Sequence, residues 1–333
     1  MTAAALRPDL TISIVNTDNR RLLKDCLSSI PTGSEGLETE VFVVDNASTD
    51  GSGDMVAREF PGVHLLGNRE RHGFAANHNQ VLRQARGRHT LILNEDTVVR
   101  PGALLAMVGY MDHHPEVGML GCQLLNPDGT PQTSCYCAFP SLLFSFLESS
   151  LLYAVLDRFF PNTRYPGRMT QPLDRCRETH EVAHLLGAAI LIRRAALEEV
   201  GLLDEGFYIY REETDLCLRF RRRGHKIVYF PEAHIVHLGG ESMGREPERA
   251  TRIRLQSNLR YYRKHRGLLV AGLWWATSLA GCLLAIAWTT LAARLRPRGR
   301  QFYRALTARS LTALRLHFRL GVEGPAAVRK GCE

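Results

Sequence analysis

Leu91-Ile92-Leu93-Asn94-Glu95-Asp96 runs an apolar segment straight into two adjacent carboxylates, and the fold class follows from that junction. A short apolar run bounded by polar residues reads as a strand buried on both faces, the habit of a parallel sheet. Residues 94–97 then stand where the strand ends, and open α/β sheets bind ligands at the carboxyl ends of their strands. Two carboxylates there repel each other, and burying them unpaired is costly. A divalent cation held against a polyphosphate relieves both problems. The junction therefore reads as a metal–diphosphate site.

Working outward, residues 11–16, 40–44 and 63–66 are further short β-rich runs. Residues 20–30 carry Leu22, Leu23, Cys26, Leu27 and Ile30 at helical spacing, and residues 74–86 read as the helix that leads into the strand at 90–93. Strands alternating with helices argue a parallel, doubly wound sheet. Pro101 opens a helix to about residue 113, residues 117–125 form a strand, and Asn126-Pro127-Asp128-Gly129 turns the chain back. Residues 141–160 are rich in Leu and Phe, with Glu148, Asp157 and Arg158 the main charges. They have too many apolar positions for one helix stripe, so they either pack within the acceptor half or touch a membrane or lipid acceptor. A strand at 182–193, helices at 195–200 and 214–223, and a strand at 226–230 close the body.

The chain has 333 residues, enough to bury a full core, and a net charge of +8. Residues 246–333 hold 17 Lys+Arg against 4 acidic residues, or +13, which leaves 25 against 30, or −5, for residues 1–245. A basic tail beside an apolar segment suits anionic lipid, and with no matching motif nucleic acid is not an expected partner. Residues 267–293 contain no charged side chain. As a helix they reach roughly 40 Å, enough for a hydrocarbon core. Arg260, Arg263, Lys264 and Arg266 flank one end, Arg294, Arg296, Arg298 and Arg300 the other, and Trp274, Trp275 and Trp288 fit interfacial anchors. Beyond them Phe302, Leu306, Leu311, Leu314, Phe318 and Leu320 alternate with arginines, as in a membrane-surface helix. The expected organisation is a catalytic domain at 1–245, a basic linker at 246–266, a membrane-associated or transmembrane helix at 267–293, and a basic amphipathic tail at 294–333. A single span, a re-entrant hairpin and a helix lying at the interface all remain open. Eight scattered cysteines without a CxxC pair fit reduced cytosolic thiols. Residues 1–10 lack the apolar core of a signal peptide, so the body is expected in the cytoplasm.

Three further stretches carry candidate chemistry. Asp45 ends the run Val41-Phe42-Val43-Val44 and opens a small polar segment. A carboxylate there accepts hydrogen bonds from a base or ribose, although an Asx turn with a helix cap has the same composition. Gly73-Phe74-Ala75-Ala76-Asn77-His78-Asn79-Gln80 opens a helix that presents N–H groups and amides to phosphate or sugar, or is an ordinary helix start. Tyr208-Ile209-Tyr210-Arg211-Glu212-Glu213-Thr214-Asp215 is a second acidic knot. Acids in a first helical turn complement the dipole, yet three carboxylates in four residues raise one another's pKa, as a general base requires. His237 is a candidate metal ligand or phosphate donor by virtue of this company.

In this order the motifs resemble glycosyltransferase family 2 with the GT-A fold, especially its bacterial rhamnosyltransferase-like members, over residues 10 to 245. The resemblance rests on Val43-Val44-Asp45-Asn46-Ala47-Ser48-Thr49-Asp50-Gly51-Ser52, the Gly73 to Gln80 motif and Leu93-Asn94-Glu95-Asp96-Thr97. It continues through Asn126-Pro127-Asp128-Gly129, Gly187-Ala188-Ala189, Gly201-Leu202-Leu203-Asp204-Glu205-Gly206-Phe207, the acidic knot with Leu216-Cys217-Leu218-Arg219, and His237. It implies a Rossmann-like, doubly wound mixed sheet as the catalytic domain, with the helical tail attached. It also implies roles: Asp45 on the nucleotide base or ribose, Asp96 binding Mg2+ or Mn2+ with the donor diphosphate, and His237 completing the metal shell or contacting phosphate. Glu213 would be the general base, with Glu212 and Asp215 orienting the acceptor; Asp18, Asn79, Asn94 and Glu95 would line the donor side. Arg219, one turn beyond Asp215, neutralises that acid. The chain departs from the family at Thr17-Asp18 (usually Tyr-Asn), at Glu95 (usually Pro), at Glu213 (commonly Asp) and at His184 (usually Trp).

The expected activity is an inverting sugar transfer from a nucleoside-diphosphate sugar, with dTDP-L-rhamnose the donor implied by the resemblance. The acceptor would be a lipid-linked or cell-envelope glycan at the cytoplasmic face of a bacterial inner membrane. A sugar-nucleotide pyrophosphorylase and a non-catalytic glycan-binding or scaffold protein are the alternatives. The first has no need of the second acidic knot, and the second would tolerate loss of Asp96 and Glu213 together.

Overall fold

Strands β1 (Leu10–Asn16), β2 (Thr39–Asp45), β3 (His64–Gly67) and β4 (His89–Asn94) form where the apolar runs stand, separated by helices α1 (Arg20–Gly33), α2 (Ser52–Glu59) and α3 (Phe74–Leu82). The computed structural model describes residues 7–132, 136–159, 177–239 and 247–323. These first four strands are all parallel, in the order β3-β2-β1-β4. Every residue of β4 from His89 to Leu93 is buried, as a strand covered on both faces must be. Helix α3 stops at Leu82, earlier than its periodicity indicates. The N–H groups of Arg86 and Gly87 are taken by Glu40 Oε1 (2.6 Å) and Thr11 Oγ1 (2.9 Å) instead of helix carbonyls.

Beyond β4 come β5 (Thr97–Val99), α4 (Ala103–His113), β6 (Val117–Leu125), β7 (Tyr136–Cys137), α5 (Leu142–Ser149) and α6 (Leu152–Phe159). They are followed by β8 (His180–Glu181), β9 (His184–Leu185), β10 (Ala189–Arg193), α7 (Arg194–Val200), α8 (Glu212–Arg222) and β11 (Lys226–His237). The sheet continues β4-β10-β6-β11-β5, with β8 also on β11. It is mixed: β10 runs against β4 and β6, and β5 and β8 run against β11. The expected single strand at 182–193 is two strands divided around Gly187, β9 pairing with β7 in a separate two-stranded ladder. The last strand is longer than expected and carries the chain on to His237. Helix α4 begins after Gly102, whose φ of 71 breaks the helical path that Pro101 was expected to start.

Two compact units result: residues 1–137 with 173–242, and residues 138–172 with 243–333. The first holds the sheet. The second is helical, with α5, α6, α9 (Pro247–Leu295) and α10 (Arg300–Glu323). Residues 141–160 give two helices because Leu151 takes a φ of 61 between them. The expected basic linker is itself helical from Pro247, and α9 breaks at Gly267 (φ 84, ψ 173) before its apolar half. The tryptophans are built into this unit and are not free anchors. Trp274 is buried, while Trp275 and Trp288 donate Nε1–H to the carbonyls of His317 and Ser150. Among the described residues, α9 is the one helix long and apolar enough to cross a membrane by length and composition. Cys26, Cys122, Cys217 and Cys282 are buried, while Cys135, Cys176 and Cys332 lie outside the described residues.

Glu40 fastens β1, β2 and the α3–β4 connection together. Its buried carboxylate accepts from Thr11 Oγ1 (2.5 Å), Arg86 N (2.6 Å) and Arg86 Nε (3.0 Å). Burial alone would raise its pKa, but these hydrogen bonds outweigh burial and hold it below the usual carboxylate range. A depressed pKa contributes stability above the unfolded value, lost as pH falls through the folded value. Glu40→Gln should therefore lower the unfolding free energy by about 1.5–3 kcal/mol at neutral pH. In urea titrations repeated down the pH scale, its deficit should close through the acid range.

Candidate active site

Strand register gathers the candidate residues at one edge of the sheet. Asn16 pairs with Asp45, Val15 with Asn94, Leu93 with Ala189, Leu125 with Val236, and Thr97 with His237. The carboxyl ends of β1, β2, β4, β6 and β11 thus meet the start of β10. This is the edge at which open α/β sheets bind ligands.

Asn94 to Thr97 make a tight turn between β4 and β5, closed by Thr97 Oγ1 donating to the Asn94 carbonyl at 2.7 Å. Asn94 N–H donates to Ala188 O at 2.9 Å, which ties the turn to the start of β10. Beneath it, burial pushes the Cys26 thiol up to about 12, the neighbouring Glu95 and Asp96 adding to the effect, so it is inert. Glu95 folds away from water and accepts from Asn19 Nδ2 at 2.8 Å. Asp96 is held by two donors from the chain beyond β11: Leu238 N–H to its carbonyl (2.9 Å) and Gly239 N–H to its Oδ2 (3.1 Å).

The other oxygen, Oδ1, is buried without a hydrogen bond and lies 3.5 Å from Nε2 of His237. Gln132 fixes the ring. Its Nε2 donates to the His237 carbonyl (2.7 Å), so its Oε1 accepts from Nδ1 at 3.1 Å. Nε2 is then the bare nitrogen. Burial lowers the pKa of His237, with Asp96 pulling the other way, so the imidazole stays neutral. Asp96 Oδ1 and a bare Nε2 thus lie 3.5 Å apart with no hydrogen bond between them. That donor set suits a divalent cation, one carboxylate and one neutral imidazole leaving positions for phosphate and water. No cluster of three or more potential ligands occurs among the described residues.

The second acidic knot starts α8. Tyr210 and Arg211 both take positive φ, 69 and 75, an uncommon conformation for non-glycine residues. The loop before them is pinned by Phe74 N–H donating to Tyr208 O at 2.7 Å, and a Cβ on Gly73 would collide with that carbonyl. Only glycine fits there. Glu212 is buried and Glu213 half-buried, and Oε2 of each has no hydrogen-bond partner. Burial raises the pKa of both, and Glu213 raises that of Glu212 further. A Cβ on Gly187 would stand 3.9 Å from Glu213 Cβ and Cγ. Because Ala188, next in the chain, binds Asn94, the acid turn and the acidic helix flank the same short segment.

Several expected site residues are placed otherwise. Asn79 is buried, with Nδ2 on Leu203 O and Glu205 Oε1 (both 2.9 Å) and Oδ1 accepting from Leu203 N (3.1 Å). Its amide is spent on packing, not on a donor. Asp215 is fully buried and paired with Arg219 Nε at 2.8 Å, and Arg219 also binds the carbonyls of Val200, Gly201 and Leu202. It braces the helix from within the core. Asp18 (φ 52) pairs with Arg71 and accepts from Thr49 N at 2.7 Å, bridging two loops beside Asp45. Asp45 itself accepts from Ser48 N at 3.3 Å, the Asx-type contact its composition allowed. His78 is core: it contacts Ser13 Oγ at 2.8 Å, and burial drops its pKa to about 3. Sequence reading missed Gln132, which no motif marks; only the turn at 126–129 implied a returning segment. Asn46, Asn77 and Gln80 of the quoted motifs join Asn68, which no motif marks, in an amide cluster that braces the loop ending at His72.

Comparison with known proteins accords with this fold. Residues 8–263 match the family model described as "Glycosyltransferase like family 2". The chain is 29% identical over 240 residues to an N-acetylglucosaminyl-diphospho-decaprenol L-rhamnosyltransferase of Mycobacterium tuberculosis (strain ATCC 25618 / H37Rv), covering 68% of this chain and 74% of that one. Rhamnosyltransferase WbbL of Escherichia coli (strain K12) is 24% identical over 202 residues, 59% of this chain and 72% of its own. Among solved structures, a mannosyltransferase from Pyrobaculum calidifontis in complex with GDP-Man and Mn2+ superposes with a TM-score of 0.58. It shares 18% identity and covers 96% of this chain and 88% of that one.

The repulsion stored at Glu212 and Glu213 has a measurable sign. A raised pKa contributes stability below the unfolded value and loses it as pH rises through the folded value. Glu212→Gln should therefore be more stable than the parent at pH 7–8, by about 2–4 °C in Tm for each kcal/mol relieved. Thermal unfolding should show this advantage shrinking toward the acid range, where both carboxyls are protonated in the parent.

Proposed function

We propose, for a chain that belongs to glycosyltransferase-like family 2, that transfer is inverting, metal-dependent and directed to a lipid-linked or cell-envelope glycan. The protein is a glycosyltransferase with a GT-A fold. The observation that carries the finer reading is the close approach of Asp96 Oδ1 and His237 Nε2, with Glu213, whose pKa is raised, on the helix that flanks the same 187–188 segment as the acid turn.

Each residue has a task in this reading. Asp45 accepts hydrogen bonds from the nucleotide's base or ribose at the end of β2. Asp96 and His237 hold Mg2+ or Mn2+, which when bound supplies Lewis-acid neutralisation of the leaving diphosphate. Gln132 keeps the His237 tautomer with Nε2 unprotonated. Glu213, half-buried and proton-seeking, takes the proton of the acceptor hydroxyl as that oxygen attacks the anomeric carbon opposite the diphosphate. Glu212 lies deeper and raises the affinity of the pair for a proton. Two similar proteins named as rhamnosyltransferases support an activated 6-deoxyhexose, dTDP-L-rhamnose, as donor. The decaprenol-linked name of the mycobacterial relative and the apolar helix support a lipid-linked acceptor. Nucleotide sugars are cytosolic, which supports the cytoplasmic face of a bacterial inner membrane as the site of action.

Glu213→Gln should bind nucleotide sugar as the parent does yet transfer it about 10²–10⁴-fold more slowly. Its loss should include the acid limb of the pH–rate profile, which in the parent lies above the ordinary carboxylate range. Retained turnover would reject the assigned base. Asp96→Ala should abolish the dependence of donor binding on Mn2+ in titration calorimetry. Gln132→Ala should weaken the metal requirement's apparent affinity by about 10–100-fold, with folding intact.

A further inference from the structure

Of the sixteen large apolar side chains exposed among the described residues, fourteen belong to the helical unit. The sheet unit covers its apolar surface; the helical unit does not. From 268 to 293 every exposed residue of α9 is Leu, Ala or Gly. Leu269, Leu273, Leu283, Leu284 and Leu291 recur at helical spacing and make one stripe, Leu269 being 79% exposed. The opposite side of α9 is occupied. Trp288 binds the Ser150 carbonyl after α5, Trp275 binds the His317 carbonyl of α10, and Thr289 and Thr307 hydroxyls meet at 2.8 Å.

Those last two contacts fix the register of α9 and α10. Residue 275 lies against 317 and residue 289 against 307, so the helices run antiparallel, side by side. By this register Arg309 and Arg315 stand alongside the middle of the leucine stripe, not beyond its ends. Arg304, Arg309, Arg315 and Arg319 are all exposed. A helix pair of this build cannot place α9 across a bilayer without carrying Arg309 and Arg315 of α10 to hydrocarbon depth, where charged side chains are strongly disfavoured. The charge pattern names the partner. Residues 249–322 contain no acidic side chain, and basic residues crowd both ends of the stripe as well as the length of α10.

We infer that the α9–α10 hairpin lies in the plane of an anionic membrane surface, the leucine stripe of α9 among acyl chains and the α10 arginines among headgroups. This rests on the membrane association proposed above and replaces a span with a one-sided, in-plane footing. Such a footing combines buried apolar area with attraction to anionic lipid, and neither end of the hairpin crosses the bilayer.

Sidedness tests it in the full chain. In Arg298→Cys and Arg263→Cys proteins, sealed inner-membrane vesicles of each orientation are treated with a membrane-impermeant maleimide. Peptide mass spectrometry then reads the label at each position. Both positions should label from the same face. Labelling of position 298 from the opposite face only would show a span, overturning the in-plane arrangement while leaving membrane association standing. Recovery of the full chain in the soluble fraction, with no binding to phosphatidylglycerol vesicles, would instead reject the membrane reading itself. Purified Leu273→Asp/Leu283→Asp protein should keep its circular dichroism, since both side chains are exposed, and lose vesicle binding at least 10-fold. If it binds vesicles unchanged but becomes a smaller oligomer than the parent, the stripe is covered by a second copy and the inference fails.

Discussion

The 3.5 Å approach of Asp96 Oδ1 to His237 Nε2, with no hydrogen bond on that oxygen, is the constraint around which the sheet edge is arranged. Neither group reached that position by local preference. Asp96 sits in a turn whose two sides are strands β4 and β5, and His237 closes a strand that pairs with both β5 and β6. The backbone of Leu238 and Gly239 then takes one carboxylate oxygen and leaves the other bare. A buried oxygen without a partner costs free energy unless something restores it. By taking the Nδ1–H, Gln132 leaves Nε2 of the neutral ring without a proton to offer that oxygen. What remains is the oxygen–nitrogen pair at which a cation is proposed, brought together by strand pairing instead of by a local ligand motif.

The acidic helix stores strain of a different kind. Tyr210 and Arg211 hold left-handed backbone conformations worth about 1–3 kcal/mol each, and the two glutamates that follow are desolvated together. Four neighbours offset that strain: Gly73 lets the Tyr208 carbonyl approach, Phe74 N–H binds it, and Asp215 with Arg219 braces the far side of the turn. Asp215 was read from sequence as part of the acceptor site, but its buried ion pair makes it part of this brace. Removing one member of such a pair leaves a buried charge uncompensated, so its worth is structural.

How far the sequence was legible divides along physical lines. β4 and the acid turn were plain, because a fully buried strand has one appearance and a carboxylate pair at its end has few explanations. The direction of β10 was not, since an apolar run looks the same whichever way it pairs. Asn79 and His78 carry the residue types of a binding site, yet only tertiary contacts show that both are spent in the core. Glu95 was expected to line the donor side, and its hydrogen bond from Asn19, 76 positions away, had no signal in the sequence. Gln132 had no signal at all. A residue that acts through a histidine 105 positions away is visible only once the strands have paired.

The split in charge noticed along the chain now has a spatial form within the helical unit. Its arginines do more than cap the two ends of an apolar stretch; four of them lie along a helix packed against that stretch. On an insertion scale an arginine at mid-bilayer costs about 2.5–3.5 kcal/mol, and Arg309 and Arg315 would both sit near that depth if α9 crossed. Snorkelling reduces such costs for a residue near an interface, but not for residues flanking the centre on a helix held in fixed register. The same side chains at a headgroup layer gain roughly 1 kcal/mol each from anionic lipid. The sign of the arginine contribution thus reverses between the two placements while the leucine stripe is served by both. Arginine placement, not the length of the apolar run, decides between them.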